Sequence, residues 1–253
     1  MSELELTYEV EDRVGVVTFD RPPVNAVRYR DMEALCDLLS DLPRGDELAV
    51  VYATGGEKTF MAGHDVNEFL EYDPDEEPEN TAAYMSTLER AYRFPLPLIV
   101  AVDGPAVGAG AILASCADVR VASPDASFAI TEINVGIIGG VGPLRRLLPD
   151  GIVRYMGFTG SSIGAERAHQ LGMVAVLSDD PVGTAIEIAA DVASKNPHAV
   201  RAAKRAMLDS QPDWPLEDYR REREYIAELR EHQNVEEAAR AFLEDREPEF
   251  EGD

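Results

Sequence analysis

The chain has 253 residues, with 48 Asp and Glu against 23 Lys and Arg and 45% hydrophobic residues, which excludes disorder of the whole chain. The length favours one large domain over two equal halves. The sequence has no apolar run of about 18 residues and no basic segment followed by an apolar stretch at its start. We therefore expect a soluble, cytoplasmic protein.

The net charge of -25 bears on partners and on environment. An acidic surface repels the phosphates of nucleic acids and anionic membranes, so we expect neither as a partner. Strong self-repulsion that salt would screen also indicates adaptation to a salty cytoplasm, with a plain acidic mesophilic enzyme as the alternative. A melting temperature that rises with KCl is the expected result, and one that falls would contradict the halophilic interpretation.

The first half of the chain alternates between strand and helix patterns. Residues 5–20 predict two short strands around a turn at Asp12, because β-branched residues follow at 14, 16 and 17. The next predicted elements are a helix over 29–42, a strand over 48–53, a loop through KTFMAGHDVNEFLEY into a helix, a charged, proline-broken loop over 71–80 and a helix over 81–93.

The second half begins with a buried strand over 98–102, a glycine-rich turn, a helix of small residues and another strand. This succession is typical of an α/β fold with stacked short sheets. From Pro197 the composition changes to charged helices, predicted over 197–209, 215–231 and 234–245. We therefore divide the chain into a core over 1–195 and a C-terminal helical segment over 196–253.

Common cofactor and metal motifs are missing from the sequence. Cys36 and Cys116 are isolated in apolar patterns, and the four histidines form no metal-binding motif. The segment Gly108-Ala109-Gly110 has Leu113 where a dinucleotide fingerprint needs a third glycine. We expect no metal and no cofactor.

Two turns place backbone amides beside small residues. In Ala62-Gly63-His64-Asp65 a loop enters a helix, and in Val107-Gly108-Ala109-Gly110 a helix begins just after a strand. The first amides of a helix have no internal acceptor, so two such ends aimed at one point would form an oxyanion site. Tight packing is the alternative explanation for each turn.

Six ordered segments resemble the crotonase (enoyl-CoA hydratase/isomerase) superfamily over residues 5–250: DRPPVNAV, KTFMAGHDVNEF, AVDGPAVGAGAILASCADVRVAS, FAITEINVGIIGGVGPLRRLLP, FTGSSIGAERAHQLGMVAVL and AARAFLEDREPEF. The resemblance implies a spiral of ββα units and a coenzyme A thioester as the substrate, with coenzyme A part of the substrate rather than a cofactor. It also implies that the core binds coenzyme A and that the C-terminal helical segment forms a homotrimer or a dimer of trimers.

Carried over by position, the resemblance implies that the amides of His64 and Ala109 form the oxyanion hole. Family hydratases use two glutamates, whose positions here hold Ile112 and Glu132. Hydration needs oxygen at one carbon and a proton at its neighbour, whereas double-bond migration needs one base. Glu132 is therefore the expected acid and base, and its apolar neighbours predict a pKa raised toward neutrality.

The expected function is Δ3-Δ2 enoyl-CoA isomerisation through an enolate. Hydration of 2-enoyl-CoA is the first alternative, decarboxylation or hydrolysis of an acyl-CoA is the second, and a non-enzymatic scaffold is the last. The resemblance also implies substrate contacts along the main chain of the first two segments, a phosphate-facing lysine and a glycine-rich pocket floor. The expected substrate-binding residues are Asn25, Ala26, Val27, Lys58, Ala62, Gly63, Asp65, Val66, Gly108, Ile112 and Gly140.

Overall fold

The computed structural model describes residues 3–56, 59–70, 77–211, 214–230 and 232–250. It is a mixed α/β fold. The strands of the described residues are β1 (Glu5–Glu11), β2 (Val14–Asp20), β3 (Ala49–Thr54), β4 (Leu98–Val102), β5 (Pro105–Val107), β6 (Val119–Ala122), β7 (Ser127–Ala129), β8 (Ile163–Gly164) and β9 (Val176–Leu177).

The helices surround these strands and continue beyond them to the C-terminal end. One 3-10 helix, Glu132–Val135, follows β7. The α-helices are α1 (Tyr29–Ser40), α2 (Asn67–Leu70), α3 (Glu77–Tyr92), α4 (Ala109–Cys116), α5 (Val141–Arg145), α6 (Asp150–Thr159), α7 (Ala165–Gln170), α8 (Pro181–Ala193), α9 (Pro197–Ser210), α10 (Trp214–Leu229) and α11 (Gln233–Leu243).

The main sheet has six strands in the order β1-β2-β3-β4-β6-β9. Only the β1 and β2 pair is antiparallel, and the remaining pairs are parallel. Strands β3 and β4 are almost wholly buried, as continuous apolar runs in a parallel sheet should be. Helix α8 covers one face through Ala185, Ala189 and Ala193, and α1, α3 and α4 contribute to the larger core.

A second sheet of three strands, β5-β7-β8, positions the candidate site. Strands β5 and β7 are parallel, so α4 and the 3-10 helix begin at the same end of this sheet. The expected division near residue 195 falls between α8 and α9. Helix α10 packs against α3 and α5, and α11 packs against the 3-10 helix, which brings the C-terminal helical segment to the candidate site.

The predicted α/β organisation matches the structure, with small differences at the ends of elements. The helix predicted over 29–42 ends at Ser40, two residues before the Leu42-Pro43 bond, because the residue before a proline is disfavoured in a helix. Among the helices described, none is both long enough and apolar enough to cross a membrane.

Candidate active site

The N-terminal end of α4 lies beside the glutamate predicted to be catalytic. Its N-cap residue is Gly108, with a φ of 51°. A Cβ atom at Gly108 would lie 2.8 Å from Oε1 of Glu132 and 3.7 Å from the Cα atom of Gly63. Glycine is therefore required here both by the left-handed backbone and by the close approach of the carboxyl group.

Two main-chain amides lie close to this point. Across the described ranges, the amide of Ala109 donates no hydrogen bond, as expected at the first residue of a helix. A Cβ atom at Gly63 would lie 3.8 Å from the Ala109 nitrogen. Val27 pairs with the carbonyl of Gly63 and the amide of Asp65, so the intervening His64 amide points to the opposite side.

The Glu132 carboxyl group is buried away from water, and its hydrogen-bonding capacity is only partly used by the described residues. Its Oε2 atom is buried and has no hydrogen-bond partner within the described part of the chain. Burial raises the pKa of Glu132 to about 7, and the negative charge of Glu222 acts in the same direction. A carboxyl group with this pKa can both accept and return a proton near neutral pH.

A cleft of about 330 Å³ joins these groups. Of the described residues that line it, two are acidic, Asp65 and Glu132. Asp65 forms an ion pair with Arg28, whose Nε atom lies 2.8 Å from Oδ2, and it also accepts hydrogen bonds from Asn67. Although burial opposes the change, these hydrogen bonds lower the pKa of Asp65. Glu132 is thus the acidic side chain on this wall that remains available.

Comparison with known proteins identifies the family to which the chain belongs. The family model described as enoyl-CoA hydratase/isomerase matches residues 9–253. The chain belongs to the enoyl-CoA hydratase/isomerase family. The protein is therefore an enzyme of a family that acts on acyl-CoA thioesters.

Similar proteins within the family differ in their named activities. The 2,3-dehydroadipyl-CoA hydratase of Escherichia coli is 33% identical over 98% of this chain and 99% of that protein. A (7aS)-7a-methyl-1,5-dioxo-2,3,5,6,7,7a-hexahydro-1H-indene-carboxyl-CoA hydrolase of Rhodococcus jostii is 33% identical over 86% of each chain. A crystal structure of an enoyl-CoA hydratase/isomerase from Pseudoalteromonas atlantica is 27% identical, covers 97% of this chain and 99% of its own, and has a TM-score of 0.86.

The predicted site residues of this family member divide into those that line the cleft and those that lie outside it. One group lines the cleft, and Ala109 lies beside it in a smaller cavity shared with His64 and Glu132. Lys58 lies outside the described residues. The predicted residues that line the cleft are Ala26, Ala62, Gly63, His64, Asp65, Val66, Gly108 and Glu132.

Asn25 and Val27 support the cleft from behind. The side-chain amide of Asn25 donates to the carbonyls of Gly55 at 2.7 Å and Thr59 at 3.0 Å, and its oxygen accepts from the amide of Arg21. Val27 is fully buried and holds the AGHD loop through its main chain. Their role in this structure is to position the loop that carries His64.

Ile112 and Gly140 pack behind Glu132 rather than along the cleft. Ile112 is fully buried, and a Cβ atom at Gly140 would lie 3.1 Å from its Cγ1 atom and 2.5 Å from Cγ2 of Ile130. The neighbouring Gly139 approaches Glu132 itself, with a 3.0 Å separation between its Cβ position and Cγ of Glu132. The position that would hold a second glutamate is therefore part of an apolar wall.

The His64 ring is engaged by other side chains. Its Nε2 atom lies 2.7 Å from Oε2 of Glu68, and its ring centroid lies 4.4 Å from that of Tyr29. Glu68 also accepts a hydrogen bond from the Tyr29 amide. This arrangement fixes the ring and is consistent with the main-chain amide of His64 as the oxyanion donor.

Sequence reasoning missed four residues that border Glu132: Tyr84 on α3, and Tyr219, Glu222 and Arg223 on α10. Tyr84 lies 48 residues before Glu132, the three residues of α10 lie about 90 residues after it, and no motif joins them. A signal exists within α10, where Tyr219, Arg223 and Ile226 have helical spacing on the buried face. Charged residues on such a face require partners inside the protein.

Proposed function

We propose that this enzyme moves the double bond of a 3-enoyl-CoA thioester to give the 2-enoyl-CoA, with Glu132 as the single acid and base. The observation that carries the proposal is the buried Oε2 atom of Glu132, which has no partner in the described ranges, on a carboxyl group whose Oε1 atom lies next to the start of α4. A reacting C–H group of the substrate would occupy that position.

The proposed reaction needs one proton carrier and one site for negative charge. The carboxylate of Glu132 removes a proton from C2, and the electron pair of that bond moves toward the thioester oxygen to give a dienolate. The amides of His64 and Ala109 stabilise this oxygen, with about 2.7–4 kcal/mol for each donor by analogy with other oxyanion holes. Glu132 then returns the proton to C4, and the double bond lies between C2 and C3.

The second acid on the cleft wall is poorly suited to activate water. Asp65 is held by Arg28 and Asn67, and its lowered pKa makes it a weak base. Ile112 supplies no oxygen atom at the other expected position. These surroundings support isomerisation over hydration, because hydration requires a group that delivers water as well as one that delivers a proton.

Hydration of 2-enoyl-CoA is the second candidate. It is favoured by the name of the Escherichia coli relative, whose sequence aligns with this one over nearly its whole length. A hydratase of this kind would have to bind its water with Glu132 alone.

Parallel assays at high KCl distinguish the two reactions. We expect conversion of 3-enoyl-CoA to 2-enoyl-CoA to have a kcat/KM at least tenfold above that for hydration of 2-enoyl-CoA to 3-hydroxyacyl-CoA. The opposite ratio would replace isomerisation by hydration as the function. If the enzyme catalyses neither reaction but converts a malonyl-type or ring-containing thioester, decarboxylation or hydrolysis becomes the favoured function.

We also propose that the protein forms a homotrimer or a dimer of trimers. Support comes from large apolar side chains left exposed in the single chain, among them Phe158 at 74% and Tyr155 at 54% on α6. Light scattering after size-exclusion chromatography should give three or six times the mass of one chain, and a monomer would contradict the proposal.

A further inference from the structure

A small cavity borders Glu132 in addition to the larger cleft. It has a volume of about 30 Å³ and shares His64, Ala109 and Glu132 with the proposed thioester site. Tyr84, Tyr219 and Arg223 line its other side. An acyl chain whose thioester oxygen met the Ala109 amide would therefore find this cavity next to its reacting carbons.

The volume restricts what can enter. About 10–15 Å³ of such space is needed for one water molecule, so the cavity has room for about two groups of that size. A long alkyl chain does not fit unless α3 and α10 separate, because Tyr84 and Tyr219 are both almost fully buried between these helices. The cavity therefore fits the end of a short acyl chain.

The lining supplies hydrogen-bond donors. The rings of Tyr84 and Tyr219 have centroids 6.2 Å apart, and the guanidinium carbon of Arg223 lies 5.9 Å from the Tyr84 ring centroid. Burial raises the pKa of both phenols, so each keeps its proton at neutral pH. The two phenols are hydrogen-bonded to each other, which leaves one phenol hydrogen and the guanidinium as donors to an acceptor atom such as a carbonyl or carboxylate oxygen.

The charges around the cavity are mixed. Arg223 attracts an anion, but Glu132 and Glu222 are close enough to influence the pKa of Tyr219 and would repel one when ionised. Arg223 is itself held in place, since its guanidinium donates to the Thr81 hydroxyl. The lining thus favours an oxygen acceptor, and the balance of charge decides between a ketone and a carboxylate.

We propose that Tyr84, Tyr219 and Arg223 select short acyl-CoA thioesters that carry an oxygen acceptor near the end of the acyl chain, over plain alkyl thioesters. This inference rests on the proposed function only in placing an acyl-CoA between His64, Ala109 and Glu132. It makes Tyr84, Tyr219 and Arg223 specificity-determining residues.

Calorimetric binding of three saturated thioesters tests the selection without any turnover: pentanoyl-CoA, 4-oxopentanoyl-CoA and glutaryl-CoA. We expect the wild type to bind the ketone or the carboxylate at least tenfold more tightly than pentanoyl-CoA. In Tyr219→Phe this preference should fall about tenfold, while the affinity for pentanoyl-CoA stays within twofold. Tyr225→Phe is the matched control, because Tyr225 is 58% exposed on the same helix, and it should behave as the wild type.

Tyr84→Phe is the second variant and should give the same loss, so the test survives if Tyr219→Phe does not fold. Equal affinity for all three ligands in the wild type would overturn the selection, as would an unchanged preference in a folded Tyr→Phe variant. Both results leave isomerisation untouched, since none of these ligands can react. Failure of isomerisation with an intact binding preference would overturn the proposed reaction alone.

Discussion

Two buried carboxyl groups, Glu132 in the 3-10 helix and Glu222 in the middle of α10, have similar acidity and different surroundings. Burial raises the pKa of each to about 7. Glu222 accepts hydrogen bonds from the amide of Val141 at 3.1 Å and from the amide of Gly142, which ties α10 to the start of α5. Glu132 has an oxygen atom with no partner among the described residues and lines the cleft.

The comparison shows that a raised pKa does not by itself identify a catalytic acid. Glu222 uses its oxygen atoms within the protein, so it acts as a structural acceptor. Glu132 keeps hydrogen-bonding capacity beside two main-chain amides, and this capacity is what a substrate C–H group or an enolate needs. Replacing each group separately should therefore change different properties of the protein.

Removing the two carboxylates in separate variants should give the largest difference in activity. We expect Glu132→Gln to lower kcat for isomerisation about 10³-fold, within the range for loss of a general acid-base group. Binding of a saturated acyl-CoA should change little, because the amides of His64 and Ala109 remain. Glu222→Gln should keep at least a tenth of the activity. A Glu132→Gln enzyme with near wild-type kcat would remove Glu132 from the mechanism.

Replacing the glycine next to each carboxyl group with alanine should give smaller effects that can be compared directly. A Cβ atom at Gly108 would lie 2.8 Å from Oε1 of Glu132, and one at Gly142 would lie 2.9 Å from Oε1 of Glu222. We expect Gly108→Ala to lower kcat about 10- to 100-fold by displacing the base. Gly142→Ala should mainly lower the melting temperature. Equal kinetic effects of the two substitutions would contradict the separation of roles.

The pH dependence of kcat/KM should report the acidity of Glu132. Its carboxylate is the active form, so kcat/KM should rise about tenfold per pH unit on the acidic side and level off above about pH 7. Neutral glutamine at position 222 removes a charge that raises this pKa, so the rising limb should move to lower pH in Glu222→Gln. Glu224→Gln, an exposed change on the same helix, should leave it in place. A wild-type midpoint near 4.5 would indicate a solvated Glu132.

The remaining expected effect is on stability. An acid whose pKa is raised by folding destabilises the folded state once the pH exceeds that pKa, and the penalty disappears as the pH falls toward the unfolded value. At pH 8 Glu132→Gln should therefore gain up to about 3 kcal/mol, seen as a melting temperature several degrees higher. The gain should shrink toward pH 5. Glu222→Gln should show no gain, because glutamine offers one acceptor oxygen where Glu222 uses two.

Much of the fold could be predicted from the sequence because its signals are local. The β-branched runs of β2 and β3 and the helical spacing of α1 determine their own conformation. The two glycine turns could likewise be identified from the sequence. In one of them the structure requires glycine, because Gly108 has a left-handed φ. The resemblance to the family identified Glu132.

The rest of the site depends on contacts between distant segments. The order of the strands and the approach of α10 to Glu132 arise from packing, which no local pattern encodes. Glu222 was missed because its partners are main-chain amides about 80 residues earlier. The side chains of Asn25 and Val27 support the loop from inside the protein, and substrate contact through their main chain stays a prediction.

Transfer of a labelled proton tests most directly whether one carboxyl group carries out the whole reaction. A 3-enoyl-CoA deuterated at C2 should give 2-enoyl-CoA with part of its deuterium at C4, because Oε2 of Glu132 is shielded from solvent between the two steps. Product whose new C4 hydrogen comes entirely from solvent, at every substrate concentration and at early times, would show that a second group or water completes the reaction.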